Sequence, residues 1–280
     1  MIDEVNTIPF FTPLWSDVPA IMFIHQLARE VWWYESSFPL NAIGYFLEPL
    51  YLRPYRAASV ITVSQSTKID LRRLHFTGNV TVIPEGLEPI EAHGLPKATE
   101  PTFLYVGRLA PSKRVEHIIE AFARFWTKTR VGRLELIGTG HGRYEATLEH
   151  LARRLNVEDR VQFLGRVSTA DKHRFMAAAS AILMTSVREG WGLVVSEANA
   201  CGTPAIVYDV PGLRDSVQNG TTGLVVAPEP SSLSDAMERI TSDKALYDRL
   251  VSEGQRWSRT LSFDDSAKAV ARTLAAAIAS

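Results

Sequence analysis

Short apolar runs recur along the second half of the chain, and stretches with helical spacing separate most of them. The runs are TFLYVG (102–107), LELIG (134–138), VQFLG (161–165), AILMTS (181–186), PAIVYD (204–209) and GLVVA (223–227). Between the first two, Val115, Ile118, Ile119, Phe122, Phe125 and Trp126 fall on one face of a helix. Continuous apolar strands alternating with amphipathic helices are typical of a parallel sheet covered on both faces. We therefore predict a doubly wound α/β domain from about residue 102 onward.

The first hundred residues repeat this pattern less completely. AIMFIH (20–25), SVITVS (59–64) and VTVIP (80–84) predict three strands, and STKIDLRRL (66–74) predicts a helix between the last two. The stretch at 85–101, rich in Gly, Pro and charge, is typical of a connection between domains. We expect two α/β domains with parallel sheets, of which the first has three strands and lacks its opening strand.

The predicted division follows from these signals. It has a first domain at 1–92, a hinge at 93–101, a second domain at 102–262 and a C-terminal helix at 263–280.

Composition and charge narrow the class of protein. The 280 residues are 46% hydrophobic and 22% charged, as in folded soluble proteins, and the net charge of −1 provides no field that attracts nucleic acid. Cys201 is the single cysteine, so no internal disulfide forms, and its small apolar neighbours favour a packing role. The start resembles no signal peptide and no apolar run is long enough to span a bilayer, so we expect a cytoplasmic protein.

Two cations follow the first strand of the second domain. Arg108 leaves the predicted strand tip, and we expect Lys113 in the first turn of the next helix. Ligands of open parallel sheets bind at the carboxyl ends of the strands, and a helix N-terminus attracts anions. The pair favours a diphosphate site; the alternative is two solvated surface cations.

The next strand end carries the sequence GTGHGR (138–143), which resembles a dinucleotide-binding fingerprint. Arg143 stands where the third glycine is expected, which disfavours a nicotinamide-dependent oxidoreductase. Gly140 either lets the loop approach a nucleotide or makes the turn. Arg166 and Val167 follow the third strand and offer backbone groups at the same edge of the sheet.

The stretch REGWGLVVSEANACG (188–202) places two carboxylates around a predicted helix start. Glu189 precedes Gly190 and Gly192, whose bare backbone can approach a ligand, and Glu197 lies about one and a half turns into the helix. Carboxylates beside a diphosphate should face neutral hydroxyls, which a sugar and a ribose supply. Together with Arg108 and Lys113, this pattern favours a nucleoside diphosphate sugar as the ligand. The alternative is a helix start stabilised by one acid, with the other acid solvated.

These motifs resemble those of family-4 glycosyltransferases, which are retaining enzymes of the two-domain GT-B fold. The resemblance is carried by GRLAPSK, IGTGHGR, VQFLGRV, REGWGLVVSEANACGTPAIVYDVPG and NGTTGLVV. Glu189 and Glu197 match the family's pair of glutamates with seven residues between them. The chain departs from the family at Trp191, usually Phe, at Pro211, usually Gly, and at Glu85, usually Asn.

The resemblance implies roles for individual residues. Arg108 and Lys113 match the cations that hold the donor diphosphate, and Glu197 matches the acid that binds the ribose. Glu189 matches the acid that contacts the transferred sugar, and His25 matches a histidine of the first domain that faces this sugar across the cleft. The donor-contacting backbone implied beside Glu189 comes from Gly190, Trp191, Gly192 and Leu193. The C-terminal helix resembles the segment that braces the first domain.

The resemblance also implies a reaction. A hexose passes from a nucleoside diphosphate sugar to an acceptor hydroxyl with retention, in polysaccharide or glycolipid synthesis. No Asp-x-Asp follows a strand, so we expect no metal and no other cofactor, with Arg108 and Lys113 stabilising the leaving diphosphate. The implied acceptor is a sugar or a lipid-linked molecule. The tryptophans of REVWWYE (29–35) fit an acceptor groove, a peripheral contact with the inner face of a membrane, or the core.

Two alternatives stay open at this point. Because the first domain lacks its opening strand, the chain could be a nucleotide-sugar-binding module that no longer transfers, and its uncovered strand edges favour self-association. The nicotinamide-dependent oxidoreductase is the weaker alternative.

Overall fold

The structure is a computed structural model that describes residues 1–90, 95–140 and 142–279. It contains two compact units. The first unit consists of Met1–Glu88, Arg188–Trp191 and the C-terminal residues from Leu261, and the second consists of Pro89–Val187 and Gly192–Thr260. The predicted domain limits at 92 and 101 stay a prediction, because residues 91–94 lie outside the described residues.

The first unit is built on a four-stranded parallel sheet with the strand order β1-β2-β3-β4. Its strands are β1 (Ile2–Glu4), β2 (Ile21–Ile24), β3 (Ser59–Thr62) and β4 (Val80–Val82). Its helices are α1 (Val31–Glu35), α2 (Leu40–Tyr51), α3 (Gln65–Arg73) and the C-terminal α10 (Phe263–Ala279). The three predicted strands and the predicted helix at 66–74 are present.

Strand β1 corrects the expectation of a three-stranded sheet. Ile2 pairs with Ile21 in parallel register, so β1 extends the sheet beside β2. The strand escaped the sequence analysis because its one buried side chain is the carboxylate of Asp3, not an apolar group. Asp3 accepts hydrogen bonds from the hydroxyls of Thr12 and Tyr55, which replace the water that the carboxylate loses.

Helix α10 covers one face of the first sheet. Ala269, Val270 and Leu274 pack against Ile21 and Ile61, which lie on neighbouring strands. Near the start of α10, the Ser266 hydroxyl donates to the Pro84 carbonyl across 2.8 Å. The C-terminal helix therefore belongs to the core of the first unit although it follows the second unit in the chain.

The second unit contains a six-stranded parallel sheet with the order β10-β9-β8-β5-β6-β7. Its strands are β5 (Thr102–Val106), β6 (Arg133–Ile137), β7 (Val161–Gly165), β8 (Ala181–Met184), β9 (Ala205–Tyr208) and β10 (Gly223–Val226). Its helices are α4 (Val115–Thr129), α5 (Gly142–Arg154), α6 (Thr169–Ala178), α7 (Leu193–Ala200), α8 (Pro230–Ser242) and α9 (Lys244–Ser258). All six predicted strands are observed.

Helix packing and strand order of the second sheet determine where a ligand could bind. The predicted apolar face of α4 packs on β5, where the ring centroid of Phe125 lies 5.0 Å from that of Phe103. The chain first builds outward from β5 through β6 to β7, and then returns to β8 on the other side of β5. The crevice that such a reversal leaves at the carboxyl ends of the strands is where doubly wound sheets bind ligands.

Candidate functional site

A pocket of about 260 Å³ lies at the carboxyl ends of β5, β6 and β7. Arg108 reaches it from the end of β5, Arg166 and Val167 from the end of β7, and Lys172 from the first turn of α6. The structure thus brings three of the predicted donor-binding residues into one pocket of the second unit. Three cationic side chains around one small volume create a positive potential suited to an anionic ligand.

The glycines after β6 serve the packing of the strand ends. Gly138 has φ +135°, and a β-carbon there would lie 1.8 Å from the carbonyl oxygen of Gly107. A β-carbon on Gly140 would lie 2.3 Å from the carbonyl oxygen of Leu109, and Gly140 is absent from the described residues that line the pocket. The loops after β5 and β6 can run side by side only because these positions are bare. Between the two uses expected for Gly140, the contacts favour the turn; His141 lies outside the described residues.

The start of α6 is fixed by its own side chains. The Ser168 hydroxyl accepts from the backbone N–H of Asp171 at 3.0 Å and donates to the Asp171 carboxylate at 2.7 Å. This arrangement is a helix N-cap, which satisfies an otherwise unpaired donor of the first turn. The cap holds Arg166, Val167 and Lys172 at the rim of the pocket.

Lys172 also joins the pocket to the predicted ribose-binding acid. Its Nζ lies 2.8 Å from each carboxylate oxygen of Glu197, and both side chains are about one-fifth exposed. Lys172 was not among the site residues predicted from the sequence. One feature of the sequence could have singled it out. Lys172 is a cation in the first turn of a predicted helix, where the helix dipole favours acids, and an acidic partner offsets this unfavourable position.

The loop after β5 differs from the expectation. Lys113 does not lie in the first turn of α4: it ends a short 3-10 turn at Pro111–Lys113, and Arg114 separates that turn from α4 with φ +49°. The Arg114 guanidinium donates to the carbonyls of Thr185 and Ser186 at 2.8 and 3.0 Å. These hydrogen bonds hold the segment that follows β8 against the start of α4. Lys113 is absent from the described residues that line the pocket.

His25 and Gly190 lie together in the first unit. A β-carbon on Gly190 would come within 3.1 Å of the His25 β-carbon and 3.3 Å of its carbonyl oxygen. That carbonyl accepts from the Thr67 hydroxyl at 3.0 Å, and the His25 Nε2 lies 3.6 Å from a carboxylate oxygen of Glu85. The bare backbone at Gly190 thus allows the loop of Glu189 to run directly against His25.

The side chain before Glu189 is buried between two acids of the first unit. The Arg188 guanidinium lies 2.6 Å from Asp70 of α3 and 3.0 Å from Glu30 at the start of α1. Trp191, at the other end of the segment, is 6% exposed. The segment Arg188–Trp191, which includes Glu189, is part of the first unit.

The second glutamate belongs to the second unit. Gly192 precedes α7 with φ +88°, the left-handed region that favours glycine, and Leu193 begins the helix at the surface. Glu197 lies one and a half turns into α7, as its spacing predicts. Glu189 and Glu197 therefore have separate surroundings, which fits different roles.

Among the described residues there is neither a cluster of metal ligands nor a helix able to cross a membrane. No group of three or more His, Cys, Asp or Glu side chains there could hold a metal ion. No helix in the same residues is long and apolar enough to cross a membrane.

Comparison with known families identifies the class of protein that these features define. The family of glycosyl transferases group 1 matches residues 88–257, which is more than half of the chain. The chain belongs to this family.

Individual relatives agree with this class. The uncharacterized glycosyltransferase MJ1607 of Methanocaldococcus jannaschii is 30% identical over 224 residues, which cover 74% of this chain and 56% of that protein. Glycogen synthase of Mycobacterium tuberculosis is 30% identical over 241 residues, 83% of this chain and 57% of that enzyme. The chain thus spans a little more than half the length of these relatives.

Solved structures show the same fold. Sucrose-phosphate synthase of Thermosynechococcus elongatus superposes with a TM-score of 0.80 at 26% identity, over 95% of this chain and 69% of that one. HepE of Anabaena, crystallised with UDP and glucose, superposes with a TM-score of 0.76 at 20% identity, over 92% and 72% of the chains. The fold is the predicted α/β, GT-B-like fold with two Rossmann-like units and parallel sheets.

Proposed function

We propose that this chain is a glycosyltransferase that moves a hexose from a nucleoside diphosphate sugar to an acceptor hydroxyl. The observation that carries the proposal is the pocket at the carboxyl ends of β5, β6 and β7: Arg108, Arg166 and Lys172 line it, and Lys172 also contacts the carboxylate of Glu197. An anionic ligand that also presents hydroxyl groups satisfies both kinds of group. Membership of the group 1 family and the UDP and glucose bound to the similar HepE support this choice.

The nucleoside and the diphosphate of the donor have proposed partners in the second unit. Arg108 binds the diphosphate together with Lys113, and backbone groups around Arg166 and Val167 contact the nucleoside. Glu197 accepts hydrogen bonds from the ribose hydroxyls. Carboxylates accept hydroxyl donors well, while the cations keep the negative charge of the diphosphate from repelling the acid.

The proposed transfer step uses residues of the first unit for the sugar. Glu189 binds hydroxyls of the hexose, and His25 contacts the same sugar. As the bond between sugar and phosphate breaks, negative charge grows on the diphosphate, and Arg108 and Lys113 stabilise it without a metal ion. The acceptor hydroxyl attacks from the face that the diphosphate leaves and gives its proton to an oxygen of the departing diphosphate, so the anomeric configuration is retained.

A second candidate is a nucleotide-sugar-binding module without transfer activity. The cation pocket lies wholly in the second unit, which has its own six-stranded sheet and core. Binding of the donor therefore depends on fewer elements than transfer does. The acceptor, a sugar or a lipid-linked molecule of polysaccharide or glycolipid synthesis, belongs to the proposal only if transfer occurs.

Two measurements test the proposal in sequence. Isothermal titration calorimetry with UDP and GDP measures binding, and release of free hexose from UDP- and GDP-hexoses in the absence of acceptor measures bond cleavage. Binding with cleavage supports the transferase, and binding without cleavage favours the module. Absence of binding to either diphosphate would refute both, and activity that a chelator abolishes would refute the metal-free step.

A further inference from the structure

We propose that Lys172 is a positioning residue for donor binding: it holds the Glu197 carboxylate in the orientation that accepts the ribose hydroxyls. This inference rests on the proposed function and adds a residue to its donor site. It assigns to Lys172 a role through Glu197 and not a direct contact with the nucleotide.

The geometry of the pair supports positioning. The two residues come from different helices, α6 and α7, and the Lys172 ammonium lies 2.8 Å from both Glu197 oxygens. The N-cap at Ser168 fixes the first turn of α6 and therefore the backbone position of Lys172. With about one-fifth of each side chain exposed, water screens this pair less than it screens a surface ion pair.

The hydrogen-bonding capacity of a carboxylate leaves room for a ligand. Two carboxylate oxygens offer about four acceptor positions, and one ammonium that touches both oxygens uses two of them. The remaining positions can accept two neighbouring ribose hydroxyls at once. Without the ammonium, Glu197 would rotate among several orientations, and binding the ribose would cost the entropy of ordering it.

The charge of Lys172 serves the same end. An unpaired Glu197 would place a negative charge near the diphosphate that Arg108 is proposed to bind. Lys172 neutralises this charge at the rim of the pocket, which it lines itself. Glu197 can therefore recognise hydroxyls without weakening the binding of the phosphates.

The test compares nucleoside diphosphates with and without ribose hydroxyls. Calorimetry measures the affinities of UDP, GDP and their 2′,3′-dideoxy forms for the unaltered chain, Lys172→Met, Lys172→Arg, Glu197→Gln and the double variant Lys172→Met/Glu197→Gln. In the unaltered chain the dideoxy form of the preferred nucleotide should bind roughly ten- to a hundredfold more weakly. In Lys172→Met this ratio should fall to about threefold or less, and Lys172→Arg should restore most of it.

The double variant separates positioning from direct contact. If Lys172 acts through Glu197, adding Lys172→Met to Glu197→Gln should leave the ratio unchanged. Lys128→Met is the matched control, because Lys128 forms an ion pair with Glu238 at 2.6 Å on the surface between α4 and α8. It should alter neither the affinities nor the ratio, and the thermal midpoints of all variants report whether they are folded.

Three outcomes would overturn the inference. An unchanged ratio in folded Lys172→Met would show that the lysine does not orient Glu197. A further drop of the ratio in the double variant would assign Lys172 a direct contact. In both cases UDP or GDP still binds the unaltered chain, so the proposed function survives. Absence of binding to the unaltered chain would overturn the proposed function, and this inference with it.

Discussion

Arg188 donates to the carboxylate of Asp70 across 2.6 Å, although 118 residues separate the two in the chain. The Arg188 side chain is 5% exposed and that of Asp70 13%, so the ion pair is largely shielded from water. Arg188 directly precedes Glu189, the acid proposed to bind the transferred sugar. Helix α3 thus fixes the backbone from which that acid extends.

We expect Arg188→Met to destabilise the first unit by about 3 kcal/mol, because the variant leaves Asp70 buried without its main counter-charge. Urea unfolding followed by circular dichroism measures the change. The control is Arg174→Met, which breaks an exposed ion pair with Asp171 and should cost less than about 1 kcal/mol. Equal losses in both variants would contradict the importance of the buried pair.

Arg108→Ala and Lys113→Ala should each weaken diphosphate binding. A charge-assisted contact of the kind proposed is worth roughly ten- to a hundredfold in affinity. Calorimetric titration with UDP and GDP measures it, with Arg249→Ala on the exposed face of α9 as the control. Because Lys113 precedes α4 and is absent from the described lining of the pocket, loss in Arg108→Ala alone would remove Lys113 from the site.

Glu189→Gln and Glu197→Gln should have separable effects. Glu189→Gln should lower hexose release from the donor and leave the affinity for free UDP or GDP within about twofold. Glu197→Gln should weaken the free nucleotide itself, because the ribose loses its charged acceptor. The two variants are matched in chemistry and serve as controls for each other. Equal losses of nucleotide affinity would show that the division of roles is wrong.

Gly192→Ala should lower nucleotide affinity severalfold, because Gly192 sets the start of the helix that carries Glu197. Its φ of +88° disfavours alanine, and the added methyl would lie 3.2 Å from the Leu213 side chain. Gly220→Ala is a matched control: Gly220 has φ +75°, with open space around its β-position. Both variants should lose about 1 kcal/mol of stability, and only the first should lose affinity. Equal nucleotide affinities of Gly192→Ala and Gly220→Ala would refute a role of Gly192 in placing α7.

The stability of the first unit should depend on Asp3 at acid pH. Burial alone would raise the pKa of Asp3, but hydrogen bonds from Thr12 and Tyr55 outweigh it and hold the pKa below the usual value of 3.8. The folded chain then binds fewer protons than the unfolded chain around and below that value. The stabilisation is complete above the usual pKa and is lost as the pH falls through the lowered pKa.

Asp3→Asn should therefore cost about 2 kcal/mol at neutral pH and make unfolding less sensitive to pH below about 4. Urea unfolding at a series of pH values measures both effects. Asp17→Asn at an exposed position is the control and should change neither. A pH dependence as steep in Asp3→Asn as in the unaltered chain would contradict the assignment.

The strands were largely predictable, because a strand buried on both faces is a local run of apolar residues. β5 is buried at all five positions, and the apolar run 102–107 predicts this strand. β1 shows where this signal fails. The buried Asp3 carboxylate is stabilised by donors that include Thr12 and Tyr55, and Tyr55 lies 52 residues away. A local pattern carries no information about such partners.

The candidate site likewise has features that the sequence predicts and features that only the structure shows. The sequence alone determined that Arg108, Arg166 and Val167 share one edge, because parallel strands in sequence bring their carboxyl ends together. Only the tertiary structure decided that Lys172 contacts Glu197 and that Gly190 lies against His25. The same holds for Arg114, which separates the 3-10 turn from α4. These relationships depend on how helices and loops pack, since side chains on separate elements meet through the core and not through their spacing along the chain.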